Sequence, residues 1–322
     1  MSLIAAWTLC GLATAQTFTD RFDYPPGTMI PGWTEQVGNW SATGGTVRTQ
    51  TLPGHQHLTR NGILDRDACV EVTAHYDVFQ AQTSYLGPLV GHRNMGIASI
   101  YLMLRLEDAG QPSGGWDTYG VYTYVDSLVT SLNLGGTISP PTRAARARLQ
   151  VTDDPTGTRR VQLFLDTDLD GRWNVTRDGT PVLLPAQAAG FGIAGFGPAI
   201  ADDLKYFDAT LYLNDPPRVG NPVRLFGRSL PSRNWQGACS LGHSGIPIGG
   251  GRAIPLDADA LLALSLSFPG FAGVTDASGG FTMTLSIPPA PVLAGLTVWC
   301  SAVTWSAGID EIAPDVEVRI AP

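Results

Sequence analysis

Short runs in which apolar and polar residues strictly alternate dominate this chain and leave few folds open to it. In Cys69–Val78, Val70, Val72, Ala74, Tyr76 and Val78 fall on one side, and Cys69, Glu71, Thr73, His75 and Asp77 on the other. Ser99–Glu107 sets Ile100, Leu102, Leu104 and Leu106 against Tyr101, Met103, Arg105 and Glu107. Ala145–Val151 and Arg160–Asp166 repeat the pattern, with Ala147, Leu149, Val161 and Leu163 on their apolar sides. Side chains change face at every residue of a strand, so each run predicts a strand with one buried face. No long stretch carries a 3.6-residue period. The 38 Gly and 24 Pro among 322 residues supply the turns that many short strands need. The chain reads as all-β, built from two-sheet sandwiches.

A boundary is expected at Asn214-Asp215-Pro216-Pro217-Arg218, a polar, Pro-rich segment after a strand over Leu204–Leu213. It separates a domain at 16–215 from a smaller one at 219–322. The second should hold strands around Ala260–Phe268, Gly280–Ile287, Leu296–Thr304 and Asp315–Ile320. Residues 1–15 read as a signal peptide, with an apolar run over Leu3–Leu12 and an Ala13-Thr14-Ala15 cleavage site. A basic n-region is missing, and Thr8-Leu9 before Cys10 does not suit lipidation. The run is too short to span a bilayer, so the expected product is exported, secreted or at the cell surface. In an oxidising compartment Cys239 and Cys300, within one domain, should pair. Cys69 is then an odd thiol packed among neighbours, and no C-x-x-C suggests zinc.

Charge narrows the partners. Asp and Glu total 28 against 20 Lys and Arg. That balance excludes nucleic acid, whose binding draws its affinity from clustered positive charge. Lys205 is the only lysine, and Glu35, Glu71, Glu107, Glu311 and Glu317 are the only glutamates.

The sharpest chemical motif is Asp166-Thr167-Asp168-Leu169-Asp170-Gly171-Arg172-Trp173-Asn174. Alternate Asp residues followed by Gly match the first places of a calcium loop, where carboxylates turn inward and Gly permits the bend. Arg177 stands where an EF-hand has its bidentate Glu, and an alternating strand precedes the loop. The expectation is a calcium-binding β-hairpin with Asp166, Asp168, Asp170 and Asn174 as ligands. An Asp-Gly turn that needs no ion has the same sequence.

A second candidate is the polar face with Glu71, His75 and Asp77, beside Arg105, Arg146 and Arg148. A third is aromatic. Rings stack on the C–H faces of sugars, and Trp116, Tyr122, Tyr124 and Trp173 are the candidates, Trp116 and Trp173 on exposed loops. Trp33 and Trp40 are expected in the core. His55 and His57 share one strand face but lack a third ligand for a metal. Ser244, in Gly242-His243-Ser244-Gly245, lacks the strand–turn–helix setting of a nucleophile elbow.

Phe18–Gly45 reads F-T-D-R-F-D-Y-P-P-G-T-M-I-P-G-W-T-E-Q-V-G-N-W-S-A-T-G-G. This order resembles the first strands of concanavalin A-like, LamG-type jelly-roll modules. Gly190–Tyr212, ending A-D-D-L-K-Y-F-D-A-T-L-Y, is similar to their closing strands. The passage G-V-T-D-A-S-G-G-F-T-M-T-L-S-I-P-P-A-P-V-L-A-G-L-T-V-W-C resembles a C-terminal β-sandwich module of exported planctomycete-type bacterial proteins. The resemblance implies a concanavalin A-like jelly roll followed by a smaller β-sandwich. It also implies a sugar-associated habitat, with a polysaccharide or cell-surface glycan as partner. Glucanases of the same fold carry E-x-D-x-x-E on one strand, and that motif is absent. The expected function is non-catalytic carbohydrate binding or adhesion, with calcium as cofactor. Two alternatives stand beside it: a self-associating structural subunit of a fibre or envelope layer, and a glycoside hydrolase or polysaccharide lyase on the Glu71 face.

Overall fold

The computed structural model describes residues 18–25, 30, 32–37, 40–43, 45–49, 55–61, 67–76, 84–94, 99–109, 114–125, 128–153, 159–180, 190–197 and 199–322. The expected leader at 1–15 and Asp77 lie outside these residues. The chain divides into two compact units, Thr19–Tyr206 and one whose body is Phe207–Pro322.

In chain order the first set of strands is β1 (Phe18–Asp20), β2 (Thr34–Val37), β3 (Trp40–Ala42), β4 (Val47–Thr49), β5 (His55–Asn61), β6 (Ala68–Tyr76), β7 (Tyr85–Asn94) and β8 (Ser99–Glu107). It continues with β9 (Trp116–Val125), β10 (Leu128–Thr142), β11 (Ala144–Asp153), β12 (Arg159–Asp166), β13 (Val175–Gly179), β14 (Gly190–Phe196) and β15 (Ala199–Phe207). An eight-stranded sheet runs β13-β12-β11-β6-β15-β4-β3, with β1 also on β15, and a seven-stranded sheet runs β10-β9-β8-β7-β14-β5-β2. Pairing is antiparallel, as where Leu149 faces Val70 and Leu104 faces Val121. The chain passes repeatedly from one sheet to the other, the order of a jelly-roll sandwich.

The core lies between the sheets. Val70, Val72, Ala147, Leu149 and Leu163 from one sheet and Leu86, Leu102, Leu104, Val121 and Ile193 from the other are fully buried. Each large apolar side chain removed from water contributes about 1.5–3 kcal/mol, which fixes the register of every strand that supplies one.

The opening Asp-x-Phe motif is structural. The Asp20 carboxylate accepts hydrogen bonds from the Phe22 amide (2.7 Å), the Tyr24 hydroxyl (2.9 Å) and the Trp33 indole (2.8 Å). Phe22, at φ 52°, turns the chain there. Trp33 packs on Phe22 and Phe191, and Phe191 stacks on Tyr206 with ring centroids 4.0 Å apart. Trp33 and Trp40 are both buried, as expected.

The second unit holds β16 (Thr210–Leu213), β17 (Pro222–Arg228), β18 (Asn234–Ser240), β19 (Ile246–Gly249), β20 (Arg252–Ile254) and α1 (Ala260–Ser265). It closes with β21 (Ala272–Val274), β22 (Gly280–Ser286), β23 (Thr297–Trp305), β24 (Ile309–Ile312) and β25 (Val316–Arg319). Its sheets are β16-β17-β22, β21-β18-β23-β24 with β25 on β23, and the hairpin β19-β20. Cys239 and Cys300 form a disulfide directly across β18 and β23, while Cys69 is a buried thiol on β6. Phe281, Met283, Leu285 and Ile287 point into this unit's core.

Two expectations change here. The strand placed at Leu204–Leu213 is two strands, β15 and β16, and β16 pairs with β17 of the second unit. Asn214–Arg218 therefore belongs to the connection between β16 and β17, and Asp215 clamps Arg224 across it (2.7 and 3.1 Å). Ala260–Ser265 is helical rather than extended. A short apolar run cannot distinguish the two states by period, and the Asp259 side chain, accepting from the Leu262 amide (2.8 Å), supplies the N-cap that decides it. No helix among the described residues is long and apolar enough to cross a membrane.

Candidate metal loop and ligand face

The Asp-rich motif forms the tip of the β12–β13 hairpin, closed where Leu165 faces Val175. Leu169 (φ 57°) and Gly171 (φ 90°) take left-handed conformations that fold the tip back on itself. The turn gathers ligand atoms of Asp166, Asp168 and Asp170 within 4.8 Å of one another. Asp168 and Asp170 are exposed, whereas Asp166 is only 1% exposed. One Asp166 oxygen, Oδ2, accepts from the Gly171 amide (3.0 Å) and meets Arg146 at 3.2 Å. The other, Oδ1, is buried with no hydrogen-bond partner. Burial raises the Asp166 pKa above the usual carboxylate range; Arg146 opposes the rise and the neighbouring Asp168 adds to it. Carboxylates crowded together with one buried oxygen unsatisfied fit a hard cation.

Asn174 closes the turn. Its Oδ1 accepts from the Thr167 amide (2.6 Å) and hydroxyl (3.1 Å), bracing the two ends of the turn. Both contacts tie the Asn174 oxygen to Thr167, beside the converging Asp side chains. Arg177, in the twelfth place, sits in β13 opposite Leu163. The EF-hand ligand is missing because a strand occupies its position.

The outer face of the eight-stranded sheet holds a closed charge network. Glu71 is 2% exposed. Its Oε2 accepts from Arg148 Nε (2.9 Å) and an Arg148 terminal nitrogen (2.6 Å), and its Oε1 accepts from Lys205 (3.1 Å). Arg146 approaches Glu71 at 3.8 Å. The only lysine of the chain thus bridges Glu71 and Asp203, the latter at 3.3 Å. Trp173 covers the network, with the Arg146 and Arg148 guanidinium groups 4.1 and 4.6 Å from its ring centre. His75 lies on the same strand, opposite Ala144 and half-buried. Arg105, expected beside this group, is on the other sheet.

That other sheet gathers a constellation that the alternation of β8 only hinted at. Tyr101 faces Tyr124, Met103 faces Tyr122 and Arg105 faces Gly120. Tyr85, Leu89, Tyr101, Met103, Tyr124 and Ala194 pack together there, with Tyr122 and Phe196 partly buried against them. Tyr101 stacks on Tyr124 at 4.4 Å, and its hydroxyl lies 2.7 Å from His57 Nε2. His92 completes the group, its ring 6.0 Å from Tyr101 and 6.1 Å from His57. Burial lowers the His92 pKa to about 4 and raises that of Tyr124 to about 12.

Arg105 sits at the accessible end of this face. Its guanidinium is 3.9 Å from the Tyr85 ring centre and 4.5 Å from that of Tyr122. It donates to the Tyr124 hydroxyl (3.2 Å) and is ion-paired with Glu107. Burial raises the Glu107 pKa and Arg105 pulls it back. Gly120 makes room: a Cβ there would come within 2.9 Å of the Tyr122 ring.

The aromatic candidates divide accordingly. Trp116 is not on an exposed loop; it opens β9, is fully buried and meets Tyr76 edge-on at 5.3 Å. Tyr124 is 2% exposed and lies beneath the face rather than on it. Tyr122, on β9, and Trp173, in the β12–β13 turn, are partly exposed. The His57–His92–Tyr101 group joins strands distant in sequence, and only the His55/His57 pair hinted at it.

No family model matches this chain, and no curated protein does. Among solved structures, the exoplasmic/lumenal domain of VIP36 in its Ca2+/Man-bound form is 17% identical, with a TM-score of 0.42, covering 56% of this chain and 84% of that one. The carbohydrate-binding module CBM66 from Bacillus subtilis is 13% identical (TM-score 0.39; 54% and 94% covered). An alginate lyase, Aly36B, as a mutant with alginate trisaccharide, is 12% identical (TM-score 0.39; 60% and 98% covered). Likeness this distant carries no activity to the present chain.

Proposed function

We propose that this chain is a secreted, non-catalytic carbohydrate-binding protein whose first unit takes a glycan at the Tyr122–Arg105–Glu107 end of the seven-stranded sheet. Calcium in the Asp166–Asp170 hairpin stabilises that unit. One observation carries the reading: the Arg105 guanidinium lies over the rings of Tyr85 and Tyr122 and is paired with Glu107. Such a shelf offers a pyranose an aromatic face for its C–H side, with fixed donors and acceptors for its hydroxyls. The non-catalytic part rests on the carboxylates. Glycoside hydrolysis needs two carboxyl groups flanking one bond, and Glu71 and Glu107 lie on different sheets. The Cys239–Cys300 disulfide suits an oxidising compartment.

The test is retention of the full chain on a panel of insoluble polysaccharides, with calcium and with EDTA. Retention in calcium, weakened about tenfold by Tyr122→Ala with unchanged circular dichroism, is the expected result. No retention on any polymer in calcium overturns the reading and returns weight to a structural role.

A further inference from the structure

We propose that Arg146 is a built-in counter-cation of the Asp166–Asp170 hairpin, lowering its affinity for calcium and lowering its affinity for trivalent ions further. The inference rests on the calcium reading of that hairpin and goes beyond it by naming the residue that tunes it. Arg146 is on β11, directly opposite Asp166 in the sheet register. Its guanidinium meets Asp166 Oδ2 at 3.2 Å and donates to the Gly171 carbonyl at 3.0 Å, so it grips both the buried ligand and the bend of the turn. It leaves Asp166 Oδ1 buried and without a partner, beside Asp168 and Asp170.

Three carboxylates contribute −3 at the tip, and the guanidinium on Asp166, shared with Glu71 at 3.8 Å, offsets part of that charge. The arginine cannot leave its post easily, because Trp173 of the same turn lies 4.1 Å from it and Glu71 lies 3.8 Å away on its other side. A fixed positive charge within a few ångströms of a bound ion weakens binding, and the penalty grows with ion charge. Arg146 therefore repels Tb3+ more than Ca2+.

The ring that covers Arg146 also provides the readout. Trp173 is part of the turn itself, so a lanthanide bound there should show luminescence sensitised by its indole. The experiment titrates the full-length protein with Ca2+ by calorimetry and with Tb3+ by sensitised emission, comparing wild type with Arg146→Gln and Arg146→Lys. Arg146→Gln is expected to tighten Ca2+ binding about tenfold and Tb3+ binding more than that, an effect scaled down for screening near the surface. Arg146→Lys, which keeps the charge, should stay within about threefold of wild type. Trp173→Phe should remove the sensitised emission while calorimetry still shows binding. Equal or weaker Ca2+ binding by folded Arg146→Gln overturns the counter-cation while calcium binding stands. A tenfold change in Arg146→Lys overturns it too, and remains decisive if the Gln variant does not fold. Binding of neither ion by wild type or Arg146→Gln defeats the calcium reading itself.

Discussion

His92 is fully buried, and neither of its ring nitrogens has a hydrogen-bond partner among the described residues. Burial depresses its pKa from 6.5 to about 4. A histidine whose folded value lies below its unfolded value stabilises the fold above the unfolded pKa. That contribution disappears as pH falls from about 6.5 towards about 4. The full effect is of order 3 kcal/mol at most. The urea midpoint of wild type should therefore fall between pH 7 and pH 4.5, and His92→Gln should flatten that slope; parallel slopes would remove His92 as the cause. Glu71 makes the complementary case. Glu71→Gln leaves Arg148, itself 2% exposed, with a buried uncompensated charge, a change that costs roughly 3 kcal/mol or more. Stability should drop by that order in chemical denaturation while polysaccharide retention at a temperature where the variant is folded stays unchanged. Lost retention with intact stability would move the binding face to Glu71. Alternation alone showed that Glu71 shares a polar face with His75. It could not show Arg148 opposite Glu71, because register between strands is set by the packing of both sheets.

Among the elements, β10 shows how a local pattern can mislead about assembly. Its fifteen residues, Leu128–Thr142, contain no charged side chain, and it lies at the edge of the seven-stranded sheet. A long uncharged edge invites pairing with another copy, which is the route to a fibre. The strand blunts that route. Between Ser131 and Gly135 it spends four steps where β9 spends two, from Tyr122 to Gly120. Asn133, at φ 58°, turns the bulge, and Leu134 lies against Gly179 of β13. Pro140 and Pro141 near the far end remove two further amide donors. Deleting Asn133 and Leu134 should straighten the edge and produce concentration-dependent assembly by light scattering, with β-sheet circular dichroism retained and wild type monodisperse. A deletion variant that stays monodisperse would show that the bulge protects nothing. The bulge left only a faint trace in sequence, Asn133 before Gly135-Gly136, whereas the core-facing side of β8 or β11 could be read directly. Apolar period marks which face is buried; it carries no information on where a strand gains two residues over its neighbour.

For the molecule as a whole, the two units draw their stability from separate sources, and this makes their independence measurable. The second unit has its own apolar core, in which Cys239 and Cys300 join β18 to β23 across 61 residues of chain. Closing a loop of that length restricts the unfolded ensemble by about 4 kcal/mol in the chain-entropy account. The first unit has no disulfide among its described residues, but it has the Asp166–Asp170 hairpin, where calcium, bound as proposed, would favour the folded state through mass action. Each perturbation should therefore reach one unit only. In calorimetry, the double substitution Cys239→Ala/Cys300→Ala should lower one unfolding transition by about 15 °C, at roughly 4 °C per kcal/mol for a unit of this size, and leave the other in place. Saturating calcium should raise the other transition and not the one set by the disulfide. If both treatments move a single cooperative transition, the units fold as one body and the hairpin's stabilisation extends beyond the jelly roll. If they move separate transitions, the division at Tyr206–Phe207 is thermodynamic as well as geometric.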